Sequence, residues 1–338
     1  MDSAKENCGA QRASSGTAAL AGWGTALGAV RVPIAEVERE FGMAAGKLAH
    51  GAGLEALCRA GEGEDEVSLA RAAAEQALRQ ANVAAQELDW ILATSETVAG
   101  VPALGAGLHS ALRARGDCGV LDVGGACAGV ANALFLADAL FAAGKADTLL
   151  IASGDVHSRL LRPGKVAGEF AGLFGDGASA FVLRRVADNE IGGLYRMRLG
   201  LSGCAGAFAS AIVVRPEPDG GLALRFEGDA LARAAVDRMV ALLGDLEAAG
   251  GRTRAEASAV VIHQPNPRVV GIFQRQAGLA PEQVPLVTRA SGNLGSSTCG
   301  MALAEALARH SGNPRAQRGP IFIAALGPGL LWAGALLE

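Results

Sequence analysis

The sequence of 338 residues is poor in lysine and aromatic side chains, and it carries no block of basic residues. Its net charge is −4, and the few lysines are scattered along the chain. Nucleic-acid binding is therefore disfavoured, because phosphate contacts need clustered Lys and Arg. No apolar run is long enough and free enough of glycine to cross a membrane, and no apolar signal segment follows Lys5. We expect a cytoplasmic protein without a membrane span.

Paired cysteine motifs are also missing. The six cysteines are scattered and none forms a CxxC pair, which disfavours a zinc site and a redox dithiol. We therefore expect reduced thiols, no metal and no cofactor apart from the substrates themselves.

The composition is that of a globular protein, with 50% hydrophobic and 19% charged residues. Apolar runs of strand length alternate with amphipathic helical stretches, and this alternation indicates an α/β fold with largely parallel sheets covered on both faces. The predicted strands are Ala18–Val30, Leu88–Thr94, Gly119–Val123, Thr148–Ser153, Ala178–Leu183, Ala259–His263, Pro285–Thr288, Ile321–Leu326 and Leu331–Leu337. The predicted helices are Glu64–Gln80, Ala128–Ala143, Asp229–Ala249, Pro267–Gln276 and Ser296–His310.

The two halves of the chain have a similar alternation of predicted strands and helices. GVLDVGGACAGVANAL in the first half is similar to VPLVTRASGNLGSSTCGMAL in the second. We predict a flexible tail over residues 1–17, a first half over 18–190 and a second half over 191–338. The first half would contain a nucleophile, and the second a histidine and an asparagine.

Cys127 is the candidate nucleophile. It follows the predicted strand GVLDV and two glycines, and it precedes the long helix. A thiol at a helix N-terminus is stabilised as the thiolate, so we expect a lowered pKa. A lone cysteine is more often a small buried residue, which is how we interpret the other five.

His263 and Asn293 are the candidate partners of Cys127. Both follow predicted strands, in the segments HQPNP and SGNLGSS, and α/β folds build their sites at such strand ends. A cysteine can accept an acyl group from a thioester, and His and Asn N–H groups can hold a second thioester's carbonyl oxygen as an enolate forms. Taken singly, each has a structural explanation, as a buried donor or a turn residue. The remaining histidines, His157 among them, we interpret as surface or structural.

Five segments in order resemble the β-ketoacyl-acyl-carrier-protein synthase III branch of the thiolase superfamily. They are GGACAGVANAL, FGDGASAFVL, HQPNPR, SGNLGSS and GPGLLWAGALL. The resemblance spans roughly residues 18 to 338. It implies a duplicated five-layer α/β/α/β/α fold with two central mixed sheets, and a homodimer or a heterodimer with a related chain.

The resemblance also implies roles for individual residues. Cys127 would accept the acyl group, and His263 with Asn293 would assist decarboxylation of a malonyl-type thioester. Asp176 would be structural, holding a glycine turn beneath the site. Arg268 matches an arginine of the carrier-protein docking face, although a surface arginine on a helix explains it equally well. The substrates implied are acyl-CoA or acyl-carrier-protein thioesters.

Three departures from the family pattern point to a divergent member. Gly168 stands where other members carry an arginine that stacks on the CoA adenine, and the matching tryptophan is missing too. Pro328 replaces an oxyanion-hole glycine and has no N–H, so the amide of Gly329 is the candidate substitute. Val101 stands where many members place a phenylalanine that reaches the partner's acyl pocket, which predicts a wider pocket.

Three functions remain open at this point. The first is a decarboxylative condensing enzyme of polyketide-like specialised metabolism. The second is an acyltransferase that moves the acyl group from Cys127 to a hydroxyl or amine. The third is a non-catalytic partner subunit, which is disfavoured because Cys127, His263 and Asn293 are all present.

Overall fold

The computed structural model describes residues 17–98, 100–187, 194–204, 212–216, 222–226, 228–311 and 318–338. Most of the predicted tail and the predicted boundary at residues 190 and 191 lie outside these ranges, so the division into halves stays a prediction. No helix within the described ranges combines the length and the apolar character needed to cross a membrane.

Thirteen strands and nine α-helices make up the described part of the chain. The strands are β1 Thr17–Leu27, β2 Val30–Pro33, β3 Ala56–Arg59, β4 Trp90–Thr94, β5 Gly119–Asp122, β6 Thr148–Val156, β7 Asp176–Val186, β8 Tyr195–Cys204, β9 Ile212–Pro216, β10 Leu222–Phe226, β11 Ala259–Ile262, β12 Ile321–Gly327 and β13 Leu331–Leu337. The helices are α1 Ile34–Glu40, α2 Lys47–Gly51, α3 Glu66–Ala81, α4 Leu104–Leu112, α5 Gly129–Ala142, α6 Gly168–Ala171, α7 Gly228–Gly250, α8 Pro267–Ala277 and α9 Ser297–His310.

Nine strands form a mixed sheet in the order β11-β12-β13-β8-β1-β7-β6-β4-β5. The first half of the chain contributes one block of adjacent strands, namely β1, β7, β6, β4 and β5. The second half contributes the other block, namely β11, β12, β13 and β8. The two blocks join between β1 and β8, where the paired residues within the described ranges are Ala19 with Arg196 and Leu20 with Tyr195. The two central sheets expected from the resemblance are thus present and meet at one short ladder.

Helices cover the two blocks in layers. α3 and α4 pack on the outer face of the first block, α7 and α8 on the outer face of the second, and α5 with α9 fill the space between. The central layer is made of small and aliphatic residues, because two sheets must approach the same pair of helices from opposite sides. This arrangement confirms the predicted α/β/α/β/α fold class. The expectation of largely parallel sheets is wrong, because five of the eight ladders in the nine-stranded sheet are antiparallel.

Helix ends follow local sequence signals. α3 begins after Asp65, whose side chain accepts a hydrogen bond from the amide of Ser68, and the Ser68 hydroxyl accepts one from the amide of Asp65. Its alanine-rich face then packs against the first block, and Asn82 ends it in the left-handed conformation.

The predicted strand Pro285–Thr288 is wrong, since this segment is irregular. The buried side chain of Gln264 hydrogen-bonds to the backbone of this segment. It donates to the carbonyl of Pro285 and accepts from the amide of Val287. A side-chain amide thereby replaces a neighbouring strand as the hydrogen-bond partner.

Candidate active site

Cys127 lies in a tight turn, Ala126–Ala128, between β5 and the first residue of α5. Its side chain is buried. Ala126 has a φ of +48°, a left-handed conformation that is unfavourable for alanine. The sequence prediction that Cys127 lies between a strand and a helix N-terminus is confirmed.

The turn at Pro328 packs directly against this cysteine turn. A methyl group on Gly327 would stand 2.2 Å from the carbonyl oxygen of Gly125. Gly329 follows with a φ of +80°, and its carbonyl accepts from the thiol of Cys204 at 3.6 Å. The proposed oxyanion-hole role of the Gly329 amide stays a prediction.

The thiol of Cys127 donates to the carboxylate of Glu96, with 3.4 Å between Sγ and Oε2. Glu96 follows β4, two residues beyond its end. Its side chain is 16% exposed, so this carboxylate can be reached from the site while remaining largely shielded from water.

His157 holds the other oxygen of Glu96. Its Nε2 lies 2.8 Å from Glu96 Oε1, and its Nδ1 donates to the carbonyl of Gly175 at 2.9 Å. The ring packs on that of Phe174 at 4.7 Å between centroids. Because both ring nitrogens face acceptors, the imidazole is held in one orientation.

Asp155 organises the backbone around this pair. Its Oδ1 accepts from the amide of Glu96 at 2.7 Å and from the hydroxyl of Ser95 at 3.0 Å. Its Oδ2 accepts from the hydroxyl of Ser296 in the second half of the chain. One buried carboxylate therefore links the loop after β4, the end of β6 and the start of α9.

His263 follows β11, and its amide donates to the carbonyl of Ala324 at 3.1 Å. The ring is buried, and Nδ1 has no hydrogen-bond partner among the described residues. Burial lowers the pKa of His263 to about 4, so the imidazole is neutral at physiological pH. It lies close enough to Glu96 for their charges to interact.

Asn293 is oriented by its own carbonyl oxygen. Oδ1 accepts from the hydroxyl of Thr298 at 2.8 Å and from the amide of Gly295 at 3.1 Å. The two N–H groups on Nδ2 have no protein partner within the described residues. They are therefore available to a substrate carbonyl.

The loop that carries Asn293 is joined to the first half of the chain by main-chain hydrogen bonds. The amide of Asn293 donates to the carbonyl of Leu173, and the amide of Gly175 donates back to the carbonyl of Asn293, at 2.8 and 2.9 Å. The amide of Cys58 likewise donates to the carbonyl of Ser291 at 3.1 Å.

Two of the three predicted residues interact with Glu96, and the loop that carries the third, Asn293, lies beside it. Cys127 contacts it directly, and His263 interacts with its charge. Two residues after Asn293, a methyl group on Gly295 would stand 2.4 Å from Glu96 Oε1. Residues from both halves thus surround one carboxylate.

The predicted lowering of the Cys127 pKa is wrong. Burial raises the pKa of this thiol well above its usual value, and the negative charge of Glu96 raises it further. The helix N-terminus does not offset these effects, and the thiol is protonated in the resting site.

The pKa values of the three neighbouring acid–base groups, His157, Glu96 and Asp155, are also shifted. The pKa of His157 rises to about 9, because the hydrogen bond and charge of Glu96 outweigh the effect of its burial. The pKa of Glu96 is lowered by His157 in spite of burial. Burial and the charge of Glu96 raise the pKa of Asp155 to about 6. Glu96 and His157 therefore form a carboxylate–imidazolium pair at neutral pH.

The remaining predicted residues have other surroundings. Arg268 opens α8, and its side chain donates to the carbonyl of Gly51 at 3.3 Å. Val101 is fully exposed on the single chain. Asp176 is buried, accepting from the amide of Ala60 and from the amide and hydroxyl of Ser158, a role in positioning the backbone next to His157.

Glu96 and His157 were not identified from the sequence as site residues. His157 is buried within the site, whereas the sequence suggested a surface or structural role. Both follow the ends of strands in the first block, as His263 follows β11. Applying that strand-end argument to every strand would have found them. Within the described residues, no three His, Cys, Asp or Glu side chains are grouped to hold a metal ion.

Comparison with known families gives a consistent result. The sequence model described as 3-oxoacyl-[acyl-carrier-protein] synthase III matches residues 121–203, and the model of its C-terminal part matches residues 246–338. A β-ketoacyl-[acyl-carrier-protein] synthase III of Rhodospirillum centenum is 34% identical over 294 residues, covering 82% of this chain and 85% of that protein. The corresponding protein of Acidiphilium cryptum is 30% identical over 272 residues, covering 79% and 82%.

Solved structures show the same fold. The 3-oxoacyl-[acyl-carrier-protein] synthase III of Aquifex aeolicus superposes with a TM-score of 0.83 at 25% identity, covering 95% of this chain and 99% of that one. OleA of Xanthomonas campestris superposes with a TM-score of 0.82 at 19% identity, covering 95% and 98%. The likeness to OleA concerns the fold alone.

Proposed function

Since the chain belongs to the 3-oxoacyl-[acyl-carrier-protein] synthase III family of acyltransferases, we propose that Cys127 accepts an acyl group from a CoA or carrier-protein thioester. A malonyl-type thioester then loses carbon dioxide, and its enolate attacks the acyl-enzyme. The product is a β-ketoacyl thioester, and Cys127 is released.

The orientation of Asn293 is the observation that carries this proposal. Its Oδ1 is occupied by Thr298 and Gly295, so the N–H groups must serve any ligand. His263, the second proposed donor, is neutral and can donate one N–H without carrying a charge. Two neutral donors suit the oxygen of a forming enolate, which gains negative charge as carbon dioxide leaves.

The substrates of this chain are proposed to be those of a specialised pathway. Where relatives place a CoA-stacking arginine, this chain has Gly168, and a methyl group there would stand 2.8 Å from Cβ of Phe41 and 3.1 Å from Met43. The space is filled by apolar side chains of the same chain. This supports a carrier-protein-bound or unusual acyl donor in a polyketide-like pathway, with Arg268 on the docking face.

The small side chain of Val101 supports a longer or branched acyl group. Val101 is fully exposed on one chain, where it is free to enter the pocket of a second subunit. Intact-mass measurement after incubation with a panel of acyl thioesters gives the accepted chain lengths. A chain acylated by acetyl donors alone would contradict the wide pocket.

Acyl transfer to a hydroxyl or amine is the second candidate function. One observation favours it, namely the Glu96 carboxylate hydrogen-bonded to Cys127 Sγ. An acceptor hydroxyl or amine must lose a proton during transfer, whereas an enolate formed by decarboxylation needs no such base.

Carbon dioxide release from a malonyl thioester distinguishes the two functions. We expect Asn293→Ala and Asn293→Asp to lower release about a hundredfold, because one oxyanion donor contributes on that order. Asn293→Asp keeps the acceptor for Thr298, but it replaces the N–H donors with a second acceptor oxygen and adds a negative charge. Acylation of Cys127 should persist in both variants. Turnover that is indifferent to both substitutions would indicate acyl transfer.

A further inference from the structure

The resting cysteine is a neutral thiol, so the proposed acylation needs a group that removes its proton. Among the described residues, Glu96 is the only titratable side chain hydrogen-bonded to Sγ. His263 is a poor base, because burial lowers its pKa to about 4. In the proposed function, moreover, the N–H group of His263 donates to the substrate carbonyl.

Glu96 is held in place from three directions. Asp155 fixes its amide, His157 binds Oε1, and the backbone at Gly295 closes the third side. Only Oε2 faces Cys127. A base that is fixed at both its backbone and its far oxygen keeps its reactive oxygen in one position.

We propose that Glu96 is the catalytic acid–base group of Cys127, with His157 as the residue that positions it and keeps it ionised. This inference rests on the proposed acylation of Cys127. It adds to the cysteine, histidine and asparagine a carboxylate that touches the reacting sulfur.

The proton movement is balanced within the site. As the Cys127 sulfur bonds to the carbonyl carbon of the donor thioester, its proton passes to Glu96 Oε2. The bond between that carbon and the donor sulfur then breaks. The departing thiolate takes the same proton from Glu96, which returns to the carboxylate beside the imidazolium of His157.

The pH dependence of acylation follows from the groups around Glu96. Those that face it are Cys127, His157, Asp155 and His263, and Asp176 acts on His157 from the start of β7. Because Glu96 is ionised and the thiol need not ionise beforehand, the wild-type acylation rate should be nearly constant between about pH 6 and about pH 8. Without the carboxylate, the rate should follow the thiolate fraction and rise about tenfold per pH unit, since the pKa of Cys127 lies well above its usual value.

The test measures the rate of Cys127 acylation by intact mass in the full-length protein, using one accepted acyl thioester. Glu96→Gln should lower the rate about a hundredfold or more at pH 7 and produce the rising pH profile. Glu96→Asp should retain part of the rate and the flat profile. Glu305→Gln, which removes an exposed carboxylate of α9, should leave both unchanged.

A second variant covers the case in which Glu96→Gln fails to fold. Glu96→Ala should regain acylation when formate supplies the missing carboxylate. Acylation of Glu96→Gln within threefold of wild type with an unchanged profile overturns the inference. If the wild type itself is never acylated on Cys127, the proposed function fails, and that result is visible before any variant is measured.

Discussion

The Glu96 carboxylate occupies the most crowded position in the site. One oxygen serves Cys127 and the other serves His157, while the Cα of Gly295 lies against the same group. Gly295 has a φ of +58°, and a methyl group there would stand 2.4 Å from Glu96 Oε1 and 2.6 Å from Cε1 of His157. Position 295 requires glycine for two reasons. The backbone is left-handed there, and a side chain would clash with Glu96 and His157.

Gly295→Ala should therefore separate Glu96 from His157. We expect at least a tenfold loss of Cys127 acylation, because the displaced carboxylate no longer meets the sulfur. Gly251→Ala is the matched control, since Gly251 also has a positive φ, +67°, but faces open space. Both variants should lose about 1 kcal/mol of stability from the backbone conformation. Equal acylation in the two variants would contradict this explanation.

At the residue scale, the sequence identified the candidate groups that a local sequence pattern can reveal. Cys127 and His263 each follow a strand, Asn293 lies in the irregular loop before α9, and all three have a glycine or proline within two residues. The raised pKa of Cys127 was not predicted, because it depends first on the extent of burial and then on Glu96, which is 31 positions away in sequence and adjacent only in the fold. A local argument from the helix N-terminus omits such a charge.

The elements around Glu96 are joined by the hydroxyl of Thr97. This hydroxyl donates to Glu66 Oε1 on α3 at 2.8 Å and accepts from the amide of Val156 at the end of β6 at 3.0 Å. Thr97 is buried. The loop after β4 is thereby fixed to a helix and to a second strand.

Thr97→Val should lower the free energy of unfolding by about 1–3 kcal/mol, because it leaves a buried amide and a carboxylate oxygen without their partner. It should also lower the acylation rate through the loosened Glu96 loop. Thr97→Ser keeps the hydroxyl and should retain most of both quantities. Chemical denaturation and intact-mass kinetics measure them, and equal behaviour of Val and Ser would show that the hydroxyl has no such role.

At the element scale, the long periodic helices were predicted, whereas β8, α4, α1 and several shorter elements were missed. α3, α5, α7 and α9 were found within a few residues of their bounds, since each repeats its apolar face over several turns. β2, β3, α2 and α6 have five residues or fewer, too few to establish a period. Pro285–Thr288 was predicted as a strand from its apolar residues, but its partner is the side chain of Gln264.

At the scale of the whole molecule, the sheet ends in an open edge. β5 pairs only with β4 among the described strands. Its Leu121 is 42% exposed. An edge strand with free N–H and C=O groups and an exposed leucine is a template for pairing with another chain. This edge supports the proposed dimer.

Leu121→Glu should weaken self-association about tenfold or more, because it places a charge on the pairing edge. Ile272→Glu is the control. Ile272 is similarly exposed, at 39%, but it lies on α8, which packs on the second block. Light scattering across a concentration series measures the dissociation constant. A dimer equally stable in both variants would place the interface elsewhere, and a monomeric wild type would end the dimer proposal.

The duplicated architecture itself was predictable from the whole chain, because five ordered segments matched one family. The joining of the two sheets at β1 and β8 was not, since two residue pairs leave no pattern in the sequence.

The main-chain seam between Leu173–Gly175 and Asn293 has a consequence for how this enzyme tolerates change. Amides and carbonyls make that seam, so the position of the Asn293 backbone is set by the polypeptide path and not by the identity of the adjoining side chains. Under the proposed function, neighbouring side chains that contact the substrate can therefore vary without displacing Asn293. The backbone that carries Asn293 stays fixed, and the side chains around it can be exchanged.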